Sequence, residues 1–318
     1  MTKIDWIDQL LDLTILFSFD HSGFKRHCPN PLEKIDLSGK HGIVTGASSG
    51  IGLAVSKALL QQGMQCQLIG RDLAKLENGF KSDPFVSQAE FYSLDMSDLK
   101  KVYNFALEDV KSPIDLLIHN AGSMPLNLKI TKGGVEEMFA AQVLAPFILT
   151  KTLADVGKLQ NGCRIIFVSS GGMYLQKLDL SDLLFEKRPY NKYNGYANAK
   201  RAQVILSELF SQKYPQYLFS SMHPGWVDTP GVRHSMPSFK KLLNKRLRSI
   251  EEGADTILWL ATSDNYSNGK FWFDRKLAKT TLFNFNQSSK QEKELLWTTC
   301  QSILDTIKGP SHEPVIDK

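Results

Sequence analysis

The stretch from His41 to Gly52, HGIVTGASSGIG, constrains the fold of this chain more than any other. Gly42-Ile43-Val44 is a short run with β-preferring residues and predicts a strand. Gly46, Gly50 and Gly52 follow at once. LAVSKALLQQG then carries Leu53, Val55, Leu59 and Leu60 at spacings that suit a packed helix stopping near Gly63. Strand, glycine-rich turn and helix open a nucleotide-binding βαβ unit. Glycine permits the tight turn and lets backbone approach a pyrophosphate, while the helix N-terminus offers free N–H groups and a positive dipole. The spacing is Gly-x-x-x-Gly-x-Gly rather than G-x-G-x-x-G. A glycine triplet alone also fits an ordinary strand-to-helix turn, so the rest of the chain must supply the chemistry.

The alternation continues downstream. Strands are predicted over 65–69, 89–94, 114–119, 163–168, 218–222 and 269–273. Helices are predicted over 71–81, 98–110, 135–158, 193–213 and 250–261, with a further amphipathic helix over 290–308. This order implies an α/β fold, a doubly wound parallel sheet of the Rossmann type with right-handed crossovers. The expected division is an N-terminal helical extension (1–38), one nucleotide-binding domain (39–280) and a C-terminal helix and tail (281–318). Apolar residues at 42% suffice for a core of that size. A net charge of +5 over 318 residues gives no basis for nucleic-acid binding without a patch. Cys28, Cys66, Cys163 and Cys300 show no paired spacing, which argues against a disulfide framework or a zinc site and for a reducing compartment.

In the extension, Ile4, Trp6, Ile7, Leu10, Leu11 and Leu13 recur at near-helical spacing between Asp5, Asp8 and Asp12. The apolar run that follows, Leu13 to Phe19, is far short of the ~20 residues a spanning helix needs. Two readings stand: a helix packed on the main domain, or one resting on a membrane surface or covering a pocket mouth.

The catalytic candidates lie past the middle. Tyr196 and Lys200 stand four apart in a predicted helix and share a face. An ammonium beside a phenol favours the phenolate, so the Tyr196 pKa is expected to fall toward working pH and suit an acid/base role. Ser170 ends the strand IIFVSS, where open α/β sheets place their ligands, and its hydroxyl is placed to hold a substrate oxygen. Spacing alone leaves the neighbouring Ser169 open as the alternative.

TGASSGIG, HNAG at 119–122, VSS at 168–170, YANAK at 196–200 and PGWVDTP at 224–230 occur in the order found in the short-chain dehydrogenase/reductase family. The chain resembles that family over roughly 38–280. The resemblance implies a nicotinamide cofactor and Ser170, Tyr196 and Lys200 as catalytic residues, with Lys200 also binding the nicotinamide ribose. It further implies cofactor contacts from Gly46, Ser48, Ser49, Gly50, Ile51 and Gly52 of the turn. Asp95 and Met96 would flank the adenine, Asn120, Ala121 and Gly122 would line the cleft, and Pro224, Gly225, Val227 and Thr229 would close it, with Thr229 at the carboxamide.

Two positions depart from the family pattern. His119 stands where Asn is usual, at a position that mainly supports the sheet. Gln142 stands where the family has a catalytic Asn, whose role is to expose its main-chain carbonyl to a relay water. Pro146, four residues on, has no N–H to give that carbonyl, which is therefore expected to be free for a water.

Cofactor choice follows from the second strand, which runs into Gly70 and Arg71. A guanidinium there suits a 2′-phosphate, so NADP is expected over NAD. Asp72 is read as a helix start. The long connection GGMYLQKLDLSDLLFEKRPYNKYNG is similar to that of retinol-dehydrogenase-like members and implies a pocket for a large apolar substrate. Met173, Tyr174 and Leu175 are either its wall or plain core. Trp226, Met236 and Phe239 lie in a basic segment (about 225–250) expected to cap the substrate, either solvated or touching acidic lipid. The expectation is an NADP-linked oxidoreductase acting on a carbonyl or alcohol of an apolar molecule. It would be cytoplasmic, with peripheral membrane contact and homo-oligomerisation both open and no metal. The alternative is a catalytically weak dinucleotide-binding or regulatory protein.

Overall fold

The computed structural model describes residues 18–111, 113–243, 245–264, 266–281 and 286–309. The helical pattern of residues 4–13 and the last eight residues lie outside them. Helix α1 (His21–His27) precedes the sheet. β1 (His41–Thr45) leads into α2 (Gly50–Gln61), β2 (Gln65–Gly70) into α3 (Leu73–Phe80), and β3 (Ala89–Ser93) into α4 (Leu99–Asn104), which a π turn extends. β4 (Ile114–His119) is followed by α5, built of Glu137–Phe139, a π stretch Ala140–Leu144, and Ala145–Asp155. Then come β5 (Leu159–Val168), α6 (Lys192–Lys213), β6 (Leu218–Met222), the short α7 (Pro230–Ser235) and α8 (Pro237–Leu243), and α9 (Ile250–Thr262). β7 (Lys270–Phe273), β8 (Lys276–Leu277) and α10 (Lys290–Lys308) complete the described elements.

The sheet order is β3-β2-β1-β4-β5-β6-β7-β8, parallel throughout except for the β7–β8 hairpin. The doubly wound parallel sheet expected from the sequence is present. β8 was not foreseen, because two residues carry no alternation. Its turn is Asp274-Arg275, both at positive φ (49° and 61°), the geometry of a two-residue hairpin loop. Both sheet faces are covered, which is why the central strands are nearly continuous in apolar residues. Leu117, Ile165 and Phe167 enter a core with α4, α5, α6 and α10, whereas Leu116, Ile118 and Ile166 enter a second core with α2, α3 and α9. Strand order reverses between β1 and β4, and the crevice at their carboxyl ends is where such sheets bind ligands.

The described end of the N-terminal extension is bonded to the main domain. Arg248, 1% exposed, pairs with Asp274 at 2.6 Å and donates to the carbonyls of Ser18 and Asp20. Arg246 pairs with Asp20 at 2.7 Å, and Asp20 caps α1. These contacts tie residues 18–20 and α1 to the main domain, while the helical pattern of residues 4–13, to which the two readings apply, lies outside the described residues. Among the described residues no helix is long and apolar enough to cross a membrane.

Candidate active site

The glycine turn folds tightly against the loop after β4. A Cβ on Gly46 would lie 2.8 Å from the Ala121 Cα, and one on Gly52 would lie 2.3 Å from the Gly46 carbonyl oxygen. Thr45 Oγ1 accepts from the main-chain N–H groups of Asn120 and Ala121, both at 3.0 Å, and Asn120 Nδ2 donates to the Thr45 carbonyl. Ser49 is the N-cap of α2 but makes no side-chain cap, and the first turn carries no acid. Ser48 sits beside the end of β2, where a Cβ on Gly70 would be 3.4 Å from it, and Ile51 packs toward Gly253 of α9. An uncapped helix N-terminus at a turn whose glycines admit close approach fits a pyrophosphate.

At the end of β2 the Arg71 side chain is exposed, with its guanidinium 3.7 Å from Glu137. Lys129 approaches the other oxygen of Glu137 at 3.5 Å. Asp72 accepts from the Lys75 N–H at 3.0 Å and starts α3, as read from the sequence. Asp95 is exposed and takes the N–H and hydroxyl of Ser97, both at 2.9 Å. The Met96 side chain is buried in the core, which leaves only its backbone to face an adenine.

On the far side, the Pro224 carbonyl accepts from Arg248. Gly225 sits at φ +80°, with the Arg248 side chain where a Cβ would go. Val227 is buried against α9, and its side chain would meet a Cβ on Gly253 at 2.6 Å. Thr229 caps α7 by accepting from the Val232 N–H at 3.2 Å, and its methyl faces Gly50 across the turn. The hydroxyl expected at the carboxamide thus already accepts a bond within the protein.

The two serines separate cleanly. Ser169 is buried and donates to the Lys200 carbonyl at 2.8 Å. Ser170 accepts from the Gly172 N–H at 3.3 Å, and its Oγ and the Tyr196 ring lie 3.7 and 4.0 Å from where a Cβ on Gly172 would stand. Lys200 is 2% exposed and donates to the Val168 carbonyl (2.9 Å) and to Gln203 Oε1 (3.2 Å). Burial pushes its ammonium down to about 7. The expected fall in the Tyr196 pKa is not found. Burial raises it, and the nearby Ser170 hydroxyl only opposes that rise. Lys200 Nζ stands over the ring, 5.5 Å from its centroid. This set can hold a proton at a phenol beside a hydroxyl, the equipment for acid/base work at a carbonyl or alcohol oxygen.

The Gln142 expectation is corrected. The π stretch of α5 contains it, and the Ala145 N–H bonds five residues back to Ala140. Pro146 does deprive the Gln142 carbonyl of its i+4 donor, and the ladder widens there. A water is not what fills the gap: Gln203 Nε2 donates to that carbonyl at 2.7 Å, and Gln142 is fully buried. The Gln142 side chain donates to the Ser123 carbonyl at 2.7 Å, while its Oε1 is buried without a hydrogen-bond partner. His119 is buried, and its Nε2 lies 2.7 Å from Thr150 Oγ1; burial lowers it to about 3, so it is neutral support.

Met173 and Tyr174 are core, packed with Phe19, Val204 and Phe271, and Leu175 points to solvent. Met173 and Tyr174 thus follow the core reading. The connection between β5 and α6 is tied to its surroundings by polar contacts. Tyr190 donates to the Pro125 carbonyl, Lys192 to the Ser235 carbonyl, and Ser235 to the Met124 carbonyl. Trp226 meets Phe19 edge-on at 5.8 Å. The Phe239 side chain lies outside the described residues. Sequence reasoning missed Gln203, Glu137, and the Arg248–Asp274 pair. Gln203 alone had a signal: a polar residue three after Lys200 on one helix.

Residues 40–238 match the short chain dehydrogenase family. The chain is 38% identical over 306 residues to human dehydrogenase/reductase SDR family member 12, covering 92% of this chain and 96% of that protein. It is 29% identical over 282 residues to human retinol dehydrogenase 12, covering 85% of this chain and 88% of that one. A solved structure from Mycobacterium paratuberculosis, 22% identical, superposes with a TM-score of 0.71 over 86% of this chain and 96% of its own, a likeness of fold.

Proposed function

Because this chain belongs to the short-chain dehydrogenase/reductase family, we propose that it is an NADP(H)-dependent oxidoreductase interconverting a carbonyl and an alcohol on an apolar small molecule. The observation that carries the reading is the meeting of Ser170, Tyr196 and Lys200 at the carboxyl end of β5, beside the crevice between β1 and β4. A bound nicotinamide cofactor supplies or accepts the hydride. The free N–H groups at the start of α2 and the glycines Gly46, Gly50 and Gly52 of the turn suit its pyrophosphate. Ser170 holds the substrate oxygen and Tyr196 gives or takes its proton. With its pKa raised, the phenol is protonated at neutral pH and arranged as an acid, the state that serves reduction. Lys200, fixed by two carbonyl oxygens of the protein, has an N–H left for a ribose hydroxyl.

Arg71, with Asp72 engaged in capping α3, supports NADP over NAD. The apolar substrate class is supported by the name of the retinol dehydrogenase relative and by the long β5–α6 connection. Lysines 240 and 241 of α8 support peripheral contact with acidic lipid, which sedimentation with anionic vesicles checks. The test of function is NADPH oxidation, with NADP reduction for the alcohols, against a panel of retinoids, steroids and lipid aldehydes. Turnover confined to small polar sugars would overturn the substrate class. A second reading, a dinucleotide-binding protein with weak catalysis, is favoured by Gln203 occupying the Gln142 carbonyl. It predicts cofactor binding with no turnover on any member of the panel.

A further inference from the structure

Gln203 lies on α6, three residues past Lys200 and on the same face, and is fully buried. Its amide makes two bonds in opposite directions. Oε1 accepts from Lys200 Nζ at 3.2 Å, and Nε2 donates to the Gln142 carbonyl at 2.7 Å in the π stretch of α5. Lys200 Nζ donates in addition to the Val168 carbonyl at the end of β5. Two of the three ammonium N–H groups are therefore directed by protein oxygens, which fixes the direction of the third. A Cβ on Gly122 would lie 3.4 Å from Nζ and 3.0 Å from the unpartnered Gln142 Oε1, so both stand against Gly122 in the loop after β4.

We propose that Gln203 is a positioning residue for Lys200, a non-titrating strut that spans from the ammonium to the α5 carbonyl and aims the remaining N–H at the cofactor cleft. The proposal rests on the reading of Lys200 as part of the active site. The physical case is the choice of group. An amide both accepts from an ammonium and donates to a carbonyl without carrying charge, and does so through two separate atoms of one side chain. A carboxylate there would pair with Lys200 but face the Gln142 carbonyl oxygen to oxygen. An apolar residue would leave two buried polar groups short of a partner, at a cost to each. The groups that meet Nζ from the other elements are uncharged, a carbonyl from β5 and a glycine from the loop after β4; on its own helix the Tyr196 ring is the titratable neighbour.

The test titrates Lys200 in the cofactor-free protein by NMR of 13Cε-labelled lysine, with the resonance assigned by its loss in Lys200→Met. In Gln203→Met, which keeps the volume but no longer accepts from the ammonium, the midpoint is expected to move down. In Gln203→Glu it is expected to move up by about 1–3 pH units, the effect of an opposite charge at contact distance. Shifts of opposite sign in the two variants support the strut. A midpoint unchanged in both overturns it, whatever happens to stability. If Gln203→Met does not fold, the Gln203→Glu titration decides alone, since an unmoved midpoint there excludes contact with Lys200. Failure of the enzymatic reading shows separately, as wild-type protein without turnover, and leaves this titration intact.

Discussion

Arg71 lies 3.7 Å from Glu137, so the cation at the end of β2 is already shared with a carboxylate from the start of α5. A 2′-phosphate must compete with that carboxylate for the guanidinium. Arg71→Ala is expected to weaken NADPH binding by about 1.5–3 kcal/mol, the range for a hydrogen bond to a charged group, and NADH binding little. Glu137→Gln is expected to tighten NADPH severalfold, a small effect because the guanidinium is largely exposed to solvent. Titration of both variants with both cofactors checks this. Equal changes for NADPH and NADH would remove the phosphate role.

Ser169 and Ser170 are adjacent, yet their hydroxyls serve different structures. Ser169→Ala removes a buried bond to the Lys200 carbonyl and should cost about 1 kcal/mol of stability. Ser170→Ala should leave stability nearly unchanged and lower turnover about 100-fold or more, as expected for a group acting in the transition state. Denaturant unfolding and steady-state kinetics on the pair separate the two roles. The reverse pattern would reassign the catalytic serine.

The folded-state pKa of Lys200, about 7, lies below the ordinary lysine value of 10.5. Between those values the unfolded chain binds more protons than the folded one, so this residue makes stability rise with pH through that window. Lys200→Met removes the effect. The melting temperature of the variant relative to wild type should therefore be highest near pH 6.5 and decline toward pH 9.5. A difference that stays flat across that range would contradict a buried ammonium.

Much of this was legible in the sequence because the signals are local. The strand-turn-helix at His41–Gly52, the pattern of β4 and the α10 boundaries, which the structure places at Lys290–Lys308, each depend on a short window. Asp72 as a helix start was readable for the same reason. What failed depends on contacts between distant segments. The Gln142 carbonyl meets a side chain 61 positions away, and no periodicity announces such a bond. The Tyr196 pKa was misread because spacing reveals the neighbouring ammonium but not how much burial opposes the phenolate. β8 and the Asp274–Arg248 pair close the sheet edge through side chains 26 positions apart.

That pair also anchors the chain before β1. Arg248→Met leaves Asp274 buried with His27 as its remaining side-chain hydrogen-bond partner among the described residues, and breaking a buried pair this way costs about 3–5 kcal/mol. The Ser18 carbonyl loses its Arg248 donor as well, and the Asp20 carbonyl is left with the Phe24 N–H. Limited proteolysis should then cut near residues 18–30 at enzyme concentrations that leave the wild type intact. An unchanged cleavage pattern would show that α1 is held by other contacts.

The claim that most of the account depends on is that Tyr196 carries the proton. Tyr196→Phe keeps the ring beneath Lys200 and removes only the hydroxyl beside Ser170. The deciding measurement is turnover of Tyr196→Phe on a substrate accepted by the wild type, with NADPH affinity measured by fluorescence on the same protein. The account predicts turnover reduced by about 1,000-fold or more, within the range for loss of a general acid and its transition-state hydrogen bond, with NADPH affinity nearly unchanged. Turnover within a few-fold of wild type, at equal cofactor affinity, would contradict it.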